Sequence, residues 1–137
     1  MLEIEWDILS FPEMTTFFKK KRGLDRLWAA MFFSSMGLKR AISHETAFRQ
    51  EAVLIFLLTI ALCFLPLSLI WKCILIFPTF SILIVELINS AIESVVDLAS
   101  PEYHDLAKYA KDFGSAAVFI NILVAVLLWT VALSTLV

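Results

Sequence analysis

Glu86-Leu87-Ile88-Asn89-Ser90-Ala91-Ile92-Glu93-Ser94-Val95-Val96-Asp97 closes a run that begins at Cys73 and is otherwise almost wholly apolar. On a helix, Glu86, Asn89, Ser90, Glu93 and Asp97 stand at i, i+3, i+4, i+7 and i+11 and share one face. Leu87, Ile88, Ile92 and Val95 take the opposite face, which suits lipid or packed neighbours. Acids and a carboxamide inside a membrane-length helix are costly, and they normally face a bundle interior or a wet cavity. Asn89 and Ser90 alone would serve as hydrogen-bonding glue between helices. Three acids on one stripe go beyond glue, because like charges repel unless a cation or a proton joins them.

The surroundings of this stretch make a membrane its natural setting. The chain has 137 residues, 61% of them hydrophobic, above the usual apolar share of ~45–50% in soluble domains. Its mean hydropathy is +0.88. One compact unit is expected at this length. A net charge of −2 and the lack of a basic face with interleaved aromatics argue against a nucleic-acid partner. Cys63 and Cys73 sit at or within apolar runs and read as small hydrophobes. Met1 to Ser10 carries Glu3, Glu5 and Asp7 and so does not look like a cleavable signal peptide.

Residues 1–23 form an acidic and then basic tail. Leu2, Ile4, Trp6 and Ile8 alternate with acids in a strand-like period, but no partner strand is evident. Lys19-Lys20-Lys21-Arg22 suits anionic headgroups on a cytoplasmic leaflet. Leu24, Leu27, Trp28, Met31, Phe32, Ser35 and Leu38 then keep a helical period, which predicts an amphipathic helix over 24–42 lying in the interface plane. Arg26 and Lys39 enclose only 12 residues, too few to span when about 20 are needed. Ser43-His44-Glu45-Thr46 offers an N-cap with Glu45 in the first turn, and Arg49 stands at i+4 for an ion pair. Ala52–Ile70 carries no charge and Pro66 marks its far end. Spans are expected at about 47–70, 73–97 and 114–136. Ala99–Phe113 reads as a polar connection.

Lysine and arginine set the orientation. Lys19, Lys20, Lys21, Arg22, Arg26, Lys39, Arg40 and Arg49 precede the first span; Lys72 alone stands in the first connection, Lys108 and Lys111 in the second, and none after the third. The positive-inside rule puts the N-terminus and second connection in the cytoplasm and the C-terminus outside. Glu45, Glu93 and Glu102–Asp112 are then expected at one membrane face. Carboxylates with lysine and histidine there suit a hard cation and phosphate oxygens. Tyr103 and His104 suit stacking on a ligand or hydrogen-bonding to it; either alone reads equally as an interfacial aromatic or a solvated histidine. With glycine only at 23, 37 and 114, neither phosphate-loop nor dinucleotide fingerprint can be written.

Three motifs in order then carry a resemblance: Glu45-Thr-Ala-Phe-Arg-Gln-Glu51, Val85-Glu-Leu-Ile-Asn-Ser-Ala-Ile-Glu-Ser-Val-Val-Asp97, and Glu102-Tyr-His-Asp with Ala110-Lys-Asp-Phe-Gly-Ser-Ala-Ala117. From about Leu24 to the C-terminus the chain resembles the prokaryotic diacylglycerol kinases, small lipid kinases of the bacterial inner membrane. The resemblance implies an all-α membrane fold, three transmembrane helices plus an N-terminal amphipathic surface helix, assembled as a homotrimer. It implies ATP as co-substrate, Mg²⁺ as cofactor and diacylglycerol as substrate. Carried over by position, Glu86 is the catalytic base, Glu45 and Glu93 hold the metal and Asn89 lines the site, where, one turn from Glu86, it is expected to serve catalysis by holding the carboxylate or hydroxyl in place. Arg26, Phe33, Glu102, Tyr103, His104, Lys111 and Asp112 line the nucleotide, and Glu51 and Ser115 bind substrate. Phe33 departs from a tyrosine usual in relatives, Lys108-Tyr109 from a Gly-Arg pair, and Ser35 and Ile42 from tryptophans. The Ala-Phe-Arg-Gln-Glu form favours a diacylglycerol over an undecaprenol acceptor. A small proton-coupled transporter with Glu86 as its carrier is a different class; three spans and the polar connection count against it. The one-faced acids count against a membrane-organising subunit without chemistry.

Overall fold

The computed structural model describes residues 23–136. The reading of the tail falls, but for Gly23, outside the described residues. Four helices make up the regular structure of the described residues: α1 (Leu24–His44), α2 (Thr46–Phe64), α3 (Leu69–Ala99) and α4 (Asp105–Ser134).

The chain divides into two compact units, one ending at Lys39 and the other running from Arg40 onward. In the first, Gly23 takes a φ of +65°, a conformation that costs glycine little because it has no Cβ. Its carbonyl accepts the Arg26 N–H at 3.2 Å as α1 begins. The Phe32 and Phe33 rings meet edge to face with centroids 5.8 Å apart.

In the second unit, α2, α3 and α4 are each long and apolar enough to cross a membrane. They run antiparallel, as short connections require, and stack in levels. Leu62, Leu67, Leu75 and Ala132 pack at one end, and Ile55, Ile82 and Ala125 at mid-height. Lipid tails are as apolar as these side chains, so close packing and interhelical hydrogen bonds, the latter averaging ~0.6 kcal/mol, hold the bundle. Two such bonds tie α3 to α4 around Pro78. Trp129 Nε1 donates to Thr79 Oγ1 at 3.0 Å. Ser81 Oγ lies 2.9 Å from Asn121 Oδ1 and 2.8 Å from the Pro78 carbonyl.

The helices outrun the charge-free stretches. Ser68 caps α3 by accepting the Trp71 N–H. His104 caps α4, its Nδ1 accepting the Leu106 N–H at 3.1 Å. The polar connection therefore narrows to Ser100–His104, and Lys108, Lys111 and Asp112 ride on helix. Freedom from charge marks the hydrocarbon layer, whereas caps mark helix ends. The N-cap reading at Ser43–Thr46 also shifts. Ser43 and His44 still belong to α1, and Glu45 holds the cap position without a side-chain cap bond. Arg49 turns back to the Ser43 carbonyl at 3.2 Å and Thr46 Oγ1 at 3.1 Å rather than pairing with Glu45. The end of α1 has orphan carbonyls, and a cation satisfies them well. Nearer the opposite end of the bundle, α2 stops at Phe64 with Pro66 just beyond.

Candidate active site

The stripe on α3 runs from interior to surface. Glu86 and Asn89 are 6% and 7% exposed, Glu93 is half-buried and Asp97 exposed. Proline at 78 is tolerated low in α3, and the stripe occupies uninterrupted helix above it. Glu86 and Glu93 stand two turns apart, about 10 Å along the axis.

Around Glu86 the charges gather. The carboxylates of Glu93 and Glu45 are near enough to repel it, and Glu86 in turn repels Glu51. Glu45 opens α2 and Glu51 lies less than two turns further along it. Two helices thus bring four acids to one region, with Lys111 near enough to attract Glu93. Asn89 Nδ2 donates to Glu93 Oε1 at 3.1 Å. Asn89 Oδ1 and Glu51 Oε2 are buried without a hydrogen-bond partner. An orphaned buried acceptor is expensive in low dielectric.

Gly114 of α4 is buried against this stripe. A Cβ there would collide with Asn89 Oδ1 and lie 3.3 Å from Asn89 Cγ. Gly114 carries no functional group, so motif chemistry does not mark it. The available signal was that it alone of the three glycines opens a membrane-length run, and small residues there permit close helix approach.

Glu51 also heads an apolar groove of about 350 Å³ between α2, α3 and α4, which descends past Leu54, Ile82 and Trp129 to Leu133. Glu51 is the one charged residue of its lining. Ser115, also expected at the substrate, is exposed and does not line this groove.

A second, more polar hollow of about 460 Å³ lies where α3 ends and α4 begins, lined by Asp97, Glu102, Tyr103, His104, Lys108, Lys111 and Asp112. Here each charge has company. Lys111 Nζ pairs with Asp97 Oδ1 and Lys108 Nζ with Asp112 Oδ2. Tyr103 Oη donates to Asp105 Oδ1 at 2.9 Å. Because His104 Nδ1 accepts an N–H, its Nε2 carries the proton of the neutral ring and is left to donate. Glu102, Tyr103, His104, Lys111 and Asp112 are therefore brought together, five of the seven residues expected at the nucleotide. Arg26 and Phe33 belong to the first unit.

Among the described residues, no three His, Cys, Asp or Glu side chains close around a common point. Glu93 on the stripe and Glu45 at the start of α2 each act on Glu86, and two such carboxylates suit an ion that takes one or two protein oxygens and fills its shell with phosphate and water, as magnesium does.

The family model described as prokaryotic diacylglycerol kinase matches residues 32–133. The diacylglycerol kinase of Escherichia coli (strain K12) is 45% identical over 111 residues, covering 81% of this chain and 91% of that protein. The diacylglycerol kinase of Helicobacter pylori (strain ATCC 700392 / 26695) is 42% identical over 110 residues, covering 80% and 86%. That of Pseudomonas aeruginosa is 40% identical over 116 residues, covering 85% and 94%.

Proposed function

The chain belongs to the prokaryotic diacylglycerol kinase family, and from that premise we propose that it phosphorylates the free hydroxyl of diacylglycerol with ATP, yielding phosphatidate and ADP. The observation that carries the reading is the buried Glu86, set below a half-buried Glu93 on one helix face and within electrostatic reach of Glu45.

In this reading the two ends of the stripe divide the work. Glu86 accepts a hydrogen bond from the lipid hydroxyl and takes its proton as the oxygen attacks the γ-phosphorus. The bond from that phosphorus to the ADP oxygen breaks, and ADP leaves with the electron pair. A hydroxyl is a weak nucleophile, and a positioned base supplies about 10²–10⁴-fold. Asn89 holds the carboxylate of Glu93, and Glu93 with Glu45 would hold Mg²⁺. Bound there, the ion would neutralise charge on the phosphate oxygens. Lys111, His104 Nε2 and the Tyr103 ring offer a cation, a donor and a stacking face to the nucleotide. The groove below Glu51 suits an acyl chain, because its lining is apolar apart from that headgroup-level acid.

The same reading takes the assembly to be a homotrimer in the bacterial inner membrane. α1 lies in the interface plane, the N-terminus and the Ser100–His104 connection face the cytoplasm, and the C-terminus lies outside. The support for partners is that Leu54, Ile84, Ile88 and Val95 are exposed and Glu51 Oε2 is orphaned in a single chain.

The test is a magnesium-dependent kinase assay with diacylglycerol and undecaprenol side by side. Turnover of diacylglycerol well above undecaprenol is expected. Preference for undecaprenol would move the acceptor, and inactivity on both would end the lipid-kinase reading.

A further inference from the structure

The buried amide of Asn89 poses a problem that Gly114 answers. Asn89 Nδ2 donates to Glu93 Oε1 at 3.1 Å. The amide cannot turn over, since that would set its oxygen against the carboxylate oxygen. Its Oδ1 therefore points toward α4, where it is buried and has no N–H or O–H partner. Gly114 meets it there. The space in which any other residue would place Cβ falls on Asn89 Oδ1, with Asn89 Cγ only 3.3 Å away. In glycine that direction carries a Cα–H, and a Cα–H facing an amide oxygen is a weak hydrogen bond of the kind found between closely packed helices.

We propose that Gly114 is a positioning residue for Glu93: its missing side chain seats the Asn89 carboxamide, and the seated carboxamide holds the Glu93 carboxylate. Gly114 touches neither lipid nor nucleotide in this scheme. It acts through Asn89. The inference rests on the reading of Glu93 as a metal ligand for its effect on activity, but the Gly114–Asn89 fit does not.

A methyl group at 114 meets the far end of a side chain, so Asn89 can yield by rotating. At 7% exposed, it can do so only by leaving Glu93. Gly114→Ala then trades a helix-weakening glycine for a better helix former while releasing Glu93. That combination gives a distinctive pattern of stability.

The experiment measures thermal midpoints of the full-length protein in mild detergent for Gly114→Ala, Asn89→Ala and the double variant, with magnesium titrations of kinase activity for Gly114→Ala and Glu93→Gln. Gly114→Ala is expected to lower the midpoint when Asn89 is present and to leave it unchanged or raise it when Asn89 is alanine. Gly114→Ala should also raise the magnesium concentration for half-maximal rate by ~10-fold or more, as losses of groups that orient a metal ligand do, with KM for diacylglycerol unchanged. Should Gly114→Ala alone fail to fold while the double variant folds, the proposed contact is supported. An equal shift of midpoint in both backgrounds overturns the proposal. So does a normal magnesium requirement in Gly114→Ala where Glu93→Gln raises it. If the midpoints are coupled and neither variant moves the magnesium requirement, the metal role of Glu93 falls and the seating of Asn89 by Gly114 stands.

Discussion

The two ends of the candidate site are built on opposite terms. At Ser100–Asp112 the polar groups satisfy one another: Lys111 with Asp97, Lys108 with Asp112, Tyr103 with Asp105. Along Glu86–Glu93, acid faces acid, and Asn89 and Glu51 each keep a buried oxygen without a donor. The pairs of the first region stand in water, where an exposed ion pair contributes ~0–1 kcal/mol and exchanges readily for a ligand. The second region lies within the bundle, where unneutralised charge is costly. In the proposed reading the missing partners come from outside the chain, as substrate, metal or a neighbouring protomer. The buried end is thus expected to govern the chemical step, and the exposed end nucleotide affinity.

Substitutions along the stripe test that division most severely at Glu86. Glu86→Gln should lower kcat by about 10²–10⁴-fold while ATP binding and crosslinking to a trimer persist. The neutral side chain removes a buried acid, so thermal stability should hold or rise. Near-normal kcat would send the search for the base to Asp97. Loss of ATP binding would make Glu86 a nucleotide or metal ligand instead. Crosslinking of the parent protein that stops at dimers would remove the trimer.

A step down in effect, Glu93→Gln and Glu45→Gln should each raise the magnesium requirement by ~10–100-fold, the range seen when metal sites lose supporting groups. The proposed trimer should be retained, and KM for diacylglycerol should move little. Unchanged magnesium titrations in both variants would refute the assignment.

The smallest effects belong to the exposed end. Lys111→Met should raise KM for ATP severalfold and leave kcat for bound substrate close to normal. Asp97→Asn frees Lys111 and should change KM far less, with a stability cost under about 1 kcal/mol. Equal effects of the two would mean that the ion pair itself matters, and the contrast between the two ends would weaken.

Much of this was legible in one dimension. Two charge-free runs, and a third apolar run broken only by a stripe at helical spacing, suffice for an all-α membrane fold, because lipid leaves backbone groups no other way to be satisfied along a span. The same spacing brought Glu86, Asn89 and Glu93 to one face, and lysine and arginine counts put Glu93 and Glu102–Asp112 on one side; that Lys111 meets Asp97 came from the structure. Helix ends were less legible. Absence of charge says where hydrocarbon lies, so α4 appeared to begin at Gly114 when His104 caps it. Tertiary structure alone decided which stripe residues are buried, since that depends on the neighbouring helix. It set Asn89 against Gly114, Ser81 against Asn121 and Thr79 against Trp129, pairs up to 50 residues apart. Helical periodicity determines which residues share a face. It carries no information on the rotation and height of the helix opposite, and those two quantities select the partner of every side chain on that face.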